Sequence, residues 1–199
     1  MRGVLPYVLF ALTLVVCAGA VVAEIQRRAL DPPHSTLTAD ILFIALVVGG
    51  VGLLVARARP RNVVGWIFLI SGLEWAVWGT LNDQVRAVLL DGAPDVLGAA
   101  LLLEWVGRWS WVPVVMPAVL FAPMFFPDGR LLSPRWWPLP VAGLASALAT
   151  TAGIAFSPGD YPSSGVPGLA NPFGIDAPWV GVLSTAGFAT MVAAVAAPQ

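Results

Sequence analysis

Six stretches of this chain, each about 16 to 20 residues long, carry no charge or only one, and no other feature constrains the fold so tightly. A helix of about 20 apolar residues, rising 1.5 Å per residue, crosses a hydrocarbon layer about 30 Å thick. The stretches fall at 4–23, 41–56, 63–81, 109–126, 138–156 and 178–197. They predict an all-α polytopic bundle of six membrane spans, a single membrane domain over 1–199 with no loop large enough for a soluble one. Strands are excluded, because the apolar runs are continuous where a membrane barrel alternates apolar and polar residues.

Composition agrees, with 58% of residues hydrophobic and 11% charged where a soluble domain carries about a quarter. Ten basic residues, all Arg, stand against eleven acids, so there is no basic field to hold nucleic acid. The chain has one Cys and one His, too few for a disulfide framework, a Cys/His zinc site or a Cys–His nucleophile. Cys17 reads as a small buried hydrophobe. His34, within Asp31-Pro32-Pro33-His34-Ser35, reads as a solvated loop residue. The sequence has no Gly-rich phosphate loop with Lys, no paired His on a helix and no Ser-centred elbow. It therefore assigns no catalytic, cofactor-binding or metal-ligating residue. The first span has Arg2 before it and a loose cleavage pattern at its end, but it fills a whole crossing where a cleavable segment has about 7 to 15 apolar residues. We read it as retained.

Arginines in short loops set orientation, since cytoplasmic loops keep positive charge. With both ends inside, the cytoplasmic face holds Arg2, Arg57, Arg59, Arg61, Arg130 and Arg135, opposed only by Asp128. Arg27 and Arg28, directly after the first span, run against this placement. Between the third and fourth spans the spacing predicts a helix lying on the outer surface over about 85–107. Glu104 and Arg108 stand one turn apart there, and Trp105, Trp109 and Trp111 belong to an aromatic belt. The segment 157–177, with Pro158, Pro162, Pro167 and Pro172, is expected to be irregular.

Helices in lipid approach one another through small residues at helical spacing. Ala45, Gly49, Gly52 and Ala56 form one such stripe, and Gly181, Thr185, Ala189 and Ala193 another. Packing inside one bundle is the favoured use of both, with a dimer face as the alternative. Glu74 is the one charge deep within a span, about 16 Å along the third helix from Val63. An acid at mid-span costs about 2.5 to 3.5 kcal/mol on insertion scales. With Trp75 adjacent and Trp78 one turn on, it is the candidate intramembrane sensing patch. The alternative is a carboxyl wetted by the outer interface.

Three segments, in order, carry a resemblance. They are Ala58-Arg59-Pro60-Arg61-Asn62-Val63-Val64-Gly65-Trp66, then Phe125-Phe126-Pro127-Asp128-Gly129-Arg130-Leu131-Leu132-Ser133-Pro134-Arg135-Trp136, then Asn171-Pro172-Phe173-Gly174-Ile175. Over essentially its whole length the chain resembles the N-terminal multi-span membrane region of actinobacterial two-component sensor histidine kinases. The resemblance implies that Arg59, Pro60, Asn62, Gly65 and Trp66 open a span, and that Pro127, Asp128, Gly129, Arg130 and Arg135 form a cytoplasmic hairpin. It also implies a homodimer, which the stripes permit, with a cytoplasmic kinase module and a response regulator as partners beside the lipid bilayer. The His-bearing phosphoacceptor helix and the ATP-binding domain of such kinases have no counterpart in these 199 residues. The expectation is a non-enzymatic input region, either from a truncated frame or as a stand-alone protein. The rival reading is a small polytopic transporter or channel subunit, for which paired intramembrane charges, broken helices or an internal repeat would be the signs.

Overall fold

The computed structural model describes residues 3–30, 37–91, 97–131, 133–160 and 170–196. His34, Arg2, Pro162 and Pro167 lie outside them. The described residues form helices α1 (Leu5–Leu30), α2 (Leu37–Ala58), α3 (Val63–Asp91), α4 (Leu97–Met116), α5 (Ala122–Phe125), α6 (Pro138–Ala155) and α7 (Pro178–Ala196). A π-helical turn, Pro117–Phe121, joins α4 to α5, and a 3₁₀ turn, Pro134–Trp136, precedes α6. No strand occurs among the described residues beyond one isolated bridge between Asp160 and Ala170.

Among the described residues, five helical stretches are long and apolar enough to cross a membrane: Leu5–Gln26, Ala39–Ala58, Val63–Asn82, Leu101–Phe125 and Pro134–Ala155. Pro178–Ala193 is a shorter apolar helical stretch. The helices turn large apolar side chains outward and small ones inward. On α2, Phe43, Val47 and Leu54 are exposed while Ala45, Gly49, Gly52 and Ala56 are buried. In water this arrangement would leave the hydrophobic surface uncovered. In lipid it is favourable, because tails solvate the large side chains and small residues let backbones close in.

One expectation changes. Instead of a separate surface helix over 85–107, α3 continues to Asp91 and α4 starts at Leu97, running on into the apolar stretch ending at Phe125. Residues 82–91 contain neither Pro nor Gly, so nothing in the chain stops the helix after the apolar part ends. Gly107 is tolerated in α4, where it leaves room for the Asn82 side chain. Within the single membrane domain expected over 1–199, the contacts divide into two compact units, Met1–Thr80 with Phe125–Leu131, and Leu81–Met124 with Leu132–Gln199.

In the first unit α1 packs on α2 through Cys17 and Ala20, which join Leu42, Ala45 and Ala76 in a buried cluster. α2 and α3 meet along glycines. A Cβ added to Gly72 would lie 2.6 Å from the Gly49 Cα, and one on Gly65 would lie 2.6 Å from the Ala56 nitrogen. In the second unit α6 carries Ser146, Thr150 and Gly153 against Ser184 and Gly187 of α7. The π turn presents Leu120 and Phe121 to Gly143. Pro117 opens that turn without an N–H to give, and the Ala122 N–H reaches back five residues to the Pro117 carbonyl.

Candidate functional site

The Arg-bearing end of the first unit is built from a short turn. α2 closes with the Arg59 N–H on the Val55 carbonyl, and the Asn62 N–H then bonds the Arg59 carbonyl. The Trp66 indole N–H reaches back 2.9 Å to the Pro60 carbonyl, fixing the turn against the start of α3. Asn62 is the N-cap of α3, its Oδ1 accepting from the Val64 N–H at 2.9 Å. Its other side-chain atom leaves the hairpin altogether. Nδ2 donates to the Pro127 carbonyl at 2.7 Å, 65 residues away.

The partner segment is shaped to receive it. Phe126–Pro127 is a cis peptide and Gly129 has φ +74°, a backbone that favours glycine. A Cβ on Gly129 would also stand 2.8 Å from the Asn62 Oδ1 and 2.9 Å from the Val63 nitrogen. The Gly129 N–H bonds the Phe125 carbonyl at 2.7 Å. Arg59 and Asp128 complete the clasp with a 3.4 Å pair, both side chains mostly exposed at 66% and 74%. Such a pair contributes little by itself. The buried amide of Asn62 is the stronger element, since both its ends replace hydrogen bonds the backbone would otherwise lose.

The first two sequence segments thus come together at Arg59, Asn62, Pro127, Asp128 and Gly129. Arg57, Arg61 and Arg130 are exposed around them. Gly65 is buried against α2 rather than at the clasp, and Pro60 and Trp66 brace the turn. Arg135 belongs to the second unit, where Ser133 Oγ accepts from its backbone N–H and Pro134 opens a 3₁₀ turn.

Glu74 lies on α3 with one carboxylate oxygen buried and without a hydrogen-bond partner among the described residues. Ser71, three residues earlier and fully buried, has its hydroxyl in the same condition. Trp75 and Trp78 stand edge to face at 5.7 Å, and Trp75 packs on the Cys17 cluster. Ser71 escaped the sequence reading. Its signal is the i, i+3 spacing to Glu74, visible only once a carboxylate has been singled out.

The third segment also acts through an asparagine. Asn171 donates to the Ala155 and Ser157 carbonyls at 2.9 and 2.8 Å and accepts from the Phe173 N–H. It thereby satisfies the carbonyl end of α6. Trp105 donates to the same Ala155 carbonyl at 2.7 Å and stacks on Phe173 at 4.7 Å. It is a packed anchor in the second unit. Ala45, Gly49, Gly52 and Ala56 face α3, whereas Gly181, Thr185, Ala189 and Ala193 of α7 are exposed.

No group of three or more His, Cys, Asp or Glu side chains among the described residues could hold a metal ion. No protein family, curated protein or solved structure matches the chain.

Proposed function

We propose that this chain is the membrane-embedded input and anchoring region of a signalling protein, similar in kind to the one that precedes the catalytic part of sensor histidine kinases. In this reading it crosses the cytoplasmic membrane six times with both ends inside, and acts through a kinase module and its response regulator. The observation that carries the reading is the Asn62 clasp, which ties together two of the three segments on which the resemblance rests. Four arginines, at 57, 59, 61 and 130, lie in or beside the two segments that meet at this clasp, which supports a cytoplasmic placement for it. α7, with 19 residues, spans about 28 Å, close to the hydrocarbon thickness, and serves as the sixth span.

The mechanism is a population shift. The clasp and the α2–α3 glycine seam make one rigid piece, and a stimulus that binds one packing of the bundle better than another biases the equilibrium. The Glu74 patch, where one buried carboxylate oxygen and the Ser71 hydroxyl have no hydrogen-bond partner among the described residues, is the place at which a ligand or proton has differential free energy to offer. The last helix passes the bias to the output module.

The test joins this chain to a histidine-kinase module in vesicles and measures autophosphorylation against the same module alone and against Glu74→Gln. The reading expects the membrane region to change phosphorylation at least about fivefold, the low end of ordinary allosteric coupling, and expects Glu74→Gln to move it again. Equal phosphorylation in all three would refute it.

A further inference from the structure

Beside the clasp the first unit holds a cavity of about 390 Å³, within the range of about 300 to 1,000 Å³ usual for small-molecule sites. Its walls are the last two turns of α2 and the first two of α3, with Val51, Leu54, Val55 and Phe68 supplying apolar surface. Arg59 and Asn62 line it where the helices end. Leu54 and Phe126, both also lining residues, are among the most exposed apolar side chains of the chain, at 65% and 68%. The cavity is therefore a groove reached sideways from the bilayer.

We propose that this groove binds an anionic phospholipid, one acyl chain lying along α2 and the phosphate on Arg59. The lengthwise arrangement fits, because Val51 and Arg59 are eight residues apart, about 12 Å along a helix, with hydrocarbon walls leading to a cation. Asn62 is not the phosphate donor assigned here, since its side chain is buried and is held by Pro127 through Nδ2 and by the Val64 N–H through Oδ1. Its part is to hold the mouth open in shape. Arg59 is available, because its pair with Asp128 is long and solvent-exposed and a guanidinium can give further N–H bonds to phosphate while keeping that contact. Arg57 and Arg61 on the same turn, both exposed, add attraction against the single Asp128. Basic sites of this kind between spans are where anionic headgroups settle. The proposal does not depend on the signalling role.

The experiment is native mass spectrometry of the full chain released from vesicles of equal phosphatidylglycerol and phosphatidylcholine, counting retained lipid. One phosphatidylglycerol is expected to be retained about tenfold over phosphatidylcholine, the least a charge-assisted hydrogen bond supplies. Arg59→Gln should bring the ratio to about one, while Arg135→Gln, which removes the same charge from the other unit, should leave it. Ala58→Trp, at an exposed position lining the groove, should abolish retention of both lipids with the helical content intact. Equal retention of the two lipids by the natural chain, or an unchanged ratio in Arg59→Gln, would overturn the proposal. So would displacement of the lipid by soluble glycerol phosphate, which would make this a free-anion site. A change of oligomeric state in Ala58→Trp without loss of lipid would assign the groove to a second copy of the chain.

Discussion

On α2 the residues Ala45, Gly49, Gly52 and Ala56 are buried against α3, whereas on α7 Gly181, Thr185 and Ala189, also small and set four residues apart, face outward. Small residues at helical spacing are common to both, so that pattern alone is not what decides. The first stripe meets a complementary row, Gly65, Leu69 and Gly72, and the two backbones close until an added Cβ on Gly72 would be 2.6 Å from Gly49. α7 instead packs through Val180, Ser184, Gly187 and Met191, one face over, because α6 offers Ser146, Thr150 and Gly153 there. A small-residue stripe becomes a contact only when the neighbouring helix is small at matching heights.

The sharpest test of that contrast is a pair of identical changes. Gly72→Leu should cost at least the 1 to 3 kcal/mol or so of ordinary overpacking, since the obstacle is backbone, and should reduce or abolish folded protein in thermal unfolding in detergent. Gly181→Leu has nothing within 4 Å of its added Cβ and should shift stability by no more than about 1 kcal/mol, its cost or gain being that of an exposed helix position. Equal losses would mean that α7 also buries its stripe.

The clasp gives an intermediate effect. Asn62→Ala leaves the Val64 N–H and the Pro127 carbonyl without their partner and should cost about 1 to 3 kcal/mol. Asn62→Asp keeps the acceptor for Val64 and loses only the donation to Pro127, so it should fall between the natural chain and Asn62→Ala in the same unfolding assay. The smallest effect belongs to Asp128→Asn. An exposed pair at 3.4 Å is worth about 0 to 1 kcal/mol, and salt should erase what difference remains.

The helices were legible because their apolar runs are long and continuous, and α3, α6 and α7 begin at Val63, Pro138 and Pro178, where those runs begin. The end of α3 was not. Apolar character is lost after Leu81, but a helix stops only at a residue that breaks it, and none occurs before Gly92. The clasp was only half legible: the resemblance names Asn62 and Gly129, but the capping bond of Asn62 and its bond to a segment 65 residues away are through-space facts. The packed face of α7 was hidden because that helix is apolar or small all round, so two stripes compete with no charge to choose between them. Glu74 stood out for the opposite reason, as the one charge deep within a span as the sequence bounds them, whereas the longer stretch Leu101–Phe125 also takes in Glu104 and Arg108.

The most direct test of the central claim, that the two basic hairpins form one piece, is an intramolecular cross-link in native membranes. With Cys17→Ala removing the native thiol, Arg59→Cys and Asp128→Cys are introduced together and treated with a short bis-maleimide. The clasp predicts rapid cross-linking within one chain, lost when Asn62→Ala is added. Efficient labelling of each single cysteine with no cross-link in the pair would contradict it.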